Sequence, residues 1–319
     1  MALDSSIKSS LSLPFVPENL LELEEQIIKR EQSIPEIKDN NQARIIWADK
    51  NKKARTPLSV VYIHGFTASQ GEGDPVHKEF ARRYGANLYL SRLAGHGIEH
   101  PNAFKEFTPA RLIQSAAYAL AVGKRLGDKV ILMATSTGAS LALLIASFYP
   151  DIKGLILYSP LIDFYDNRSW ILKHSLARTF ARFIPGKGYM IDSINENEAI
   201  KKVWYSEYRL EGLLALGEYV HRTMKPSVFK KIKQPVFMGY FYKNKQVQDT
   251  TVSVPAMLKM FKLLGTPSDK KRKVDFPNAG HHVICSQYTS KAVPRVKEET
   301  FKFAEEILQL APIKVDVAR

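Results

Sequence analysis

Cysteine is almost absent from this chain: Cys285 stands alone among 319 residues. An internal disulfide is therefore excluded, and the redox compartment stays open. With one cysteine and no helical His-x-x-x-His pair, a metal centre would lack its ligands, so neither metal nor cofactor is expected. No apolar run approaches the roughly 20 residues of a membrane-spanning helix, and no internal repeat or low-complexity tract occurs. The opening MALDSSIKSSLSLPF has neither a contiguous apolar core nor a small-residue cleavage site, so as written it is not a signal peptide. A cytoplasmic protein and a trimmed exported one both stay open, and no pattern assigns the oligomeric state.

Acidic residues are also in deficit, 32 against 46 Lys and Arg, a net charge of +14. The densest basic cluster, Asp269 to Lys273, reads as a solvated turn. No basic face with interleaved aromatics and no nucleic-acid module is visible, so the expected partner is a small molecule.

What is present is an alternation. Apolar β-type runs at 43–49, 58–63, 87–91, 130–135, 154–158, 235–241 and 272–276 alternate with helical patterns near 75–84, 109–126, 137–149, 254–264 and 292–310. This predicts an α/β fold with a doubly covered, mostly parallel sheet, runs 130–135 and 154–158 at its centre. Between about Asp166 and Pro235 the alternation stops in favour of a mainly helical stretch rich in aromatics. The expected organisation is thus 1–165 for an N-terminal helix and the first part of the core, 166–234 for an insertion, and 235–319 for the rest. Trp170-Ile171-Leu172 and Val203-Trp204-Tyr205 are expected to form a small core within the insertion. Upstream, residues 18–31 place Leu20, Leu21, Leu23, Ile27 and Ile28 on one side of a helix that should dock on the domain.

Where run 130–135 meets its helix the chain reads Ala134-Thr135-Ser136-Thr137-Gly138. A serine on a tight strand-to-helix turn has an exposed hydroxyl and is a candidate nucleophile; the plainer alternative is a helix cap at Thr135 or Ser136. Run 58–63 ends in His64-Gly65-Phe66-Thr67-Ala68-Ser69. There a glycine turn can aim amide groups into a cleft, making the N–H groups of Phe66 and Thr137 the expected oxyanion donors. His64 and His96 read as structural histidines bonded to backbone. Asp249, the only acidic residue between Glu218 and Asp269, sits in a loop after a late strand and is a candidate orienting acid. His281 and His282 follow Gly280 in the last loop, where a general base would sit.

These strings, in this order, resemble the α/β-hydrolase superfamily, and more closely its monoglyceride-lipase-like and carboxylesterase-like members. The resemblance spans roughly residues 43 to 310 and rests on HGFTAS at 64–69, LSRLAGHG at 90–97, ATSTGAS at 134–140, Asp249-x-x-Val252 and AGHHVI at 279–284. It implies a serine hydrolase of carboxylic esters with Ser136 as nucleophile, Asp249 as acid and His282 as base, with the insertion as a cap. His281 is the alternative base and Asp163, after run 154–158, the alternative acid. Ala134 departs from the usual first glycine of the turn. That departure and the doubled histidine keep a second reading open, a hydrolase-fold protein that binds an apolar or acidic ligand without turnover.

Overall fold

The computed structural model describes residues 3–99, 103–104, 106–166, 189–191, 197–205 and 207–313. Strands are β1 (Arg44–Ile46), β2 (Thr56–Ile63), β3 (Asn87–Leu90), β4 (Gly127–Thr135), β5 (Gly154–Tyr158), β6 (Tyr189–Ile191), β7 (Glu207–Arg209), β8 (Val236–Tyr240) and β9 (Lys271–Asp275). Helices are α1 (Ser5–Ser10), α2 (Leu20–Gln32), α3 (Val76–Arg83), α4 (Pro109–Leu126), α5 (Thr137–Ala146), α6 (Glu198–Lys201), α7 (Leu210–Thr223), α8 (Pro226–Phe229), α9 (Val254–Leu263) and α10 (Val293–Glu306).

Seven strands form one sheet in the order β1-β3-β2-β4-β5-β8-β9, parallel throughout except for β1 against β3. All seven fall where the apolar runs predicted them. The two-residue pleat explains the continuous apolar runs: Val61 and Ile63 of β2, Leu132 and Ala134 of β4 and Leu155 and Leu157 of β5 enter one core. Their neighbours Val60, Tyr62, Ile131, Met133, Ile156 and Tyr158 enter the other. Helices α2, α4, α5 and α7 supply buried residues to the first layer, α3 and α10 to the second. With both faces covered, the central strands are mostly apolar on both sides, and a polar exception such as Ser59 has its hydroxyl satisfied by the Gly123 carbonyl at 2.7 Å.

Helix α2 docks differently from the predicted face. Leu23 and Ile27 are buried, but Leu21 and Ile28 are 59% and 48% exposed, and the third buried residue is Glu31. Glu31 reaches the loop after β3, where its carboxylate pairs with Arg92 at 2.6 Å with both side chains buried. An ion pair in that setting costs on the order of 3–5 kcal/mol to break from one side, so a charge fixes the helix rotation that the leucine pattern left open. Helix α1, capped by Asp4 accepting from the Ile7 N–H, was not anticipated.

Within 166–234, Trp170-Ile171-Leu172 lies outside the described residues. The described part is not wholly helical: β6 and β7 form an antiparallel pair. Val203, Trp204 and Tyr205 do not make a core of their own. Val203 and Trp204 join the β2/α3 layer, and Tyr205 is tied to the main body by its N–H to the Thr67 carbonyl at 2.8 Å and its hydroxyl to Ile98 N at 2.6 Å. Burial against the larger body removes more apolar surface from water than a cluster of three could.

Candidate active site

Ser136 sits between β4 and α5 with φ 53° and ψ −116°, a conformation that costs a non-glycine residue about 1–3 kcal/mol. Neighbouring backbone braces it: Ser136 N–H donates to the Tyr158 carbonyl at 2.9 Å, and Leu161 N–H donates to the Ser136 carbonyl at 3.1 Å. The Ser136 side chain makes no capping bond to α5, and the Thr135 hydroxyl is bonded instead to the Tyr62 hydroxyl at 2.9 Å, so neither residue caps the helix. Gly138 is obligatory for the turn. A Cβ there would lie 2.0 Å from the Ile63 carbonyl oxygen and 2.6 Å from that of His64, because α5 starts directly over the end of β2. Thr137, the first residue of α5, has an N–H without an intrahelical acceptor, at the positive end of the helix dipole.

The loop after β2 lies against this serine. A Cβ on Gly65 would sit 3.2 Å from Ser136 Cβ and 3.3 Å from Glu72 Oε2. His64 is structural, as its sequence context predicts: its ring contacts the Gly65 carbonyl through Nδ1 at 2.9 Å and accepts the Leu93 N–H through Nε2 at 3.1 Å. Burial is the main cause that pushes its pKa down to about 4, so the ring is neutral. The Phe66 ring stacks on Phe104 at 4.8 Å and meets Phe107, His96 and Tyr208 edge-on or tilted, which anchors the residue whose amide is the expected second donor.

On the other side, His282 Nδ1 lies 2.6 Å from Asp249 Oδ2. Asp249 is fully buried, and its Oδ1 accepts the Thr251 and Val252 N–H groups at 2.9 and 3.1 Å. Burial pushes this carboxyl up, but the charge and hydrogen bond of His282 and the two amides outweigh it and hold the pKa below the usual value. His282 Nε2 is buried and has no partner among the described residues. The Ser159 hydroxyl donates to the His282 carbonyl at 2.7 Å and fixes the backbone beneath the ring.

The alternatives are placed elsewhere. His281 Nδ1 accepts the Val283 N–H at 3.0 Å, and burial followed by the neighbouring His282 charge lowers its pKa to about 4. Asp163 Oδ1 accepts the Phe164 N–H at 2.9 Å, and its carbonyl accepts from Ser253, so it braces the Asp249 loop from outside. His282 is thus the histidine brought to Asp249. A separate cavity of about 1100 Å³, lined by Arg30, Leu93, Phe104, Phe107, Arg111 and Tyr118 among others, opens between α2, α4 and the loop after β3, without Ser136 in its wall.

Two features escaped the sequence reading. Ser159, at φ 43°, looks like an ordinary loop serine, and Glu72 sits in a polar, glycine-rich stretch that carries no motif. Among the described residues no helix is long and apolar enough to cross a membrane, and no group of three or more His, Cys, Asp or Glu could hold a metal.

Comparison with known proteins agrees with this architecture. A thermostable monoacylglycerol lipase of Bacillus sp. (strain H-257) is 25% identical over 167 residues, covering 52% of this chain and 63% of the lipase. The chain therefore aligns with somewhat less than two thirds of that relative's length. A structure reported with LipS and LipT, two metagenome-derived lipolytic enzymes, superposes with a TM-score of 0.67 at 15% identity, covering 84% of this chain and 98% of the other. The monoacylglycerol lipase of Paleococcus ferrophilus gives 0.60 at 16% identity, with 84% and 98% covered. These structures share the α/β-hydrolase fold. Residues 55–235, more than half of the chain and inclusive of the serine turn, match the family described as serine aminopeptidase, S33, and the chain belongs to that α/β-hydrolase family.

Proposed function

We propose that this protein hydrolyses carboxylic esters of small molecules through an acyl-enzyme intermediate, without metal or cofactor. The observation that carries the reading is the Asp249–His282 pair at 2.6 Å, held at the same sheet edge as a strained, uncapped Ser136. Ser136 Oγ attacks the ester carbonyl carbon while His282 Nε2 takes its proton, and Asp249 stabilises the imidazolium and its tautomer. The oxyanion that forms is bound by the Thr137 and Phe66 N–H groups. Collapse breaks the bond to the alkoxy oxygen, which leaves as alcohol with the proton from His282. A water then attacks the acyl carbon, His282 accepts its proton, and release of the acid restores Ser136.

Segment 166–234 acts in this reading as the cap that shapes the acyl pocket. Lipolytic relatives favour esters, whereas the family description names an aminopeptidase, and the assay must separate the two. A fluorophosphonate probe should label wild type and leave Ser136→Ala unlabelled, and wild type should cleave p-nitrophenyl esters faster than an aminoacyl p-nitroanilide. Equal labelling of both proteins removes Ser136 from the role. Faster amide cleavage replaces the ester assignment with a peptidase one, and fatty-acid binding without labelling or turnover favours a binding protein.

A further inference from the structure

Beneath the serine turn lies a buried carboxyl that the proposed chemistry does not use. Glu72, 1% exposed, belongs to a 3₁₀ turn at Gln70–Gly73, and its Oε1 accepts the N–H of Gly65, one residue before the expected oxyanion donor Phe66. Tyr62 donates its hydroxyl to the same oxygen at 3.4 Å and is hydrogen-bonded to Thr135 Oγ1 at 2.9 Å, directly before the nucleophile. Cys285 closes the cluster, with Sγ 3.4 Å from Thr135 Oγ1 and its S–H directed at the Glu72 carbonyl at 3.7 Å. One carboxyl thus binds the loop after β2 directly and reaches the end of β4 through the Tyr62 hydroxyl.

We propose that Glu72 is a positioning residue that holds the Gly65–Phe66 loop in register with Ser136. The proposal rests on the ester-hydrolase reading for its kinetic consequence, although the loop contact exists independently of it. Burial pushes the Glu72 pKa up to about 8, against the lowering effect of the Gly65 and Tyr62 bonds, so the group is an uncharged acid at neutral pH. An uncharged acceptor suits this place. A carboxylate here would oppose the oxyanion forming at Ser136, and no cation pairs with Glu72 among the described residues. The titratable and charged groups packed around it are Tyr62 of β2 and Cys285, both pushed up by burial, His77 of α3, pushed down by burial to about 4, and the Asp74–Lys78 pair with Arg44 nearby. Of Glu72, Tyr62, Cys285 and His77, Glu72 is the one that changes charge just above neutrality.

The test compares wild type, Glu72→Gln and Glu72→Ala for p-nitrophenyl ester turnover from pH 6 to 9, for thermal unfolding, and for hydrogen exchange of residues 64–67. Glu72→Ala should lower kcat roughly 10- to 100-fold at pH 7 with KM little changed, while exchange in 64–67 accelerates. Glu72→Gln keeps a neutral acceptor and should recover most of that loss, with turnover that no longer falls above pH 8. Unchanged kcat and exchange in folded Glu72→Ala overturns the proposal, as does a glutamine variant as impaired as the alanine one. If wild type shows no ester turnover, the ester-hydrolase reading fails by itself. Exchange in 64–67 then decides on Glu72, faster in Glu72→Ala supporting the positioning role and unchanged removing it.

Discussion

His282 Nδ1 and Asp249 Oδ2 meet at 2.6 Å across loops that leave two adjacent parallel strands, β8 and β9. The carboxylate is anchored by the Thr251 and Val252 amides through its other oxygen, so it can hold the ring without moving. Asp249→Asn preserves shape and the amide contacts but permits the wrong tautomer. Turnover should fall by about 10⁴, as in the serine protease template, with the melting temperature nearly unchanged. Asp163→Asn, measured on folded protein, should cost less than roughly tenfold, and the reverse ranking would transfer the role to Asp163.

The adjacent histidines should separate as sharply. His281 has its Nδ1 occupied by the Val283 amide, whereas His282 Nε2 is left without a partner among the described residues. His282→Gln should abolish ester turnover to near background, whereas His281→Gln should retain it within several-fold. Initial rates on one p-nitrophenyl ester check this, and loss of activity confined to the His281 variant would reverse the assignment.

Stability should peak at about pH 7. Burial lowers His64, His77 and His281 to about 4 and His96 well below its usual value, while the unfolded chain takes up their protons as pH falls through about 6.5, so stability falls as pH drops from neutrality towards 4. Glu72 acts in the opposite sense. Its proton is kept up to about 8 in the fold but lost from 4.5 in the unfolded chain, so its contribution is lost as pH rises between those values. Four histidine protons outweigh one below about pH 7, and well above it Glu72 acts alone among these five. Urea unfolding from pH 5 to 8.5 should show this maximum, and Glu72→Gln should flatten the decline between about 7 and 8. A decline of equal slope in that variant would contradict the assignment.

Gly138→Ala should be the most damaging single methyl addition in the site. Its new Cβ meets two carbonyl oxygens of β2 and its loop, at 2.0 and 2.6 Å, and backbone cannot step aside as a side chain would. Overpacking of this kind costs roughly 1–3 kcal/mol or more. Thermal unfolding should show a clear loss of Tm together with loss of activity, and a stable, active variant would mean that α5 can shift off β2.

Much of this was legible in the residues. Continuous apolar runs such as 130–134 and 154–158 can be buried only in a sheet covered on both faces, and the small residues from Ala134 to Gly138 leave few options other than a tight turn. Local pattern also put Ser136, Asp249 and His282 in loops at strand ends, because in a parallel sheet those loops share one edge. What the sequence left open were choices between near-equal neighbours, His281 or His282 and Asp249 or Asp163. These depend on which side chain points inward once strands 33 residues apart in their loop contacts are brought together. The rotation of α2 was likewise decided by Glu31 meeting Arg92, 61 positions away, rather than by its leucines. Glu72 carries no local signature at all, since a glutamate becomes a buried acid only when the tertiary fold removes its water and supplies Gly65 and Tyr62 as partners.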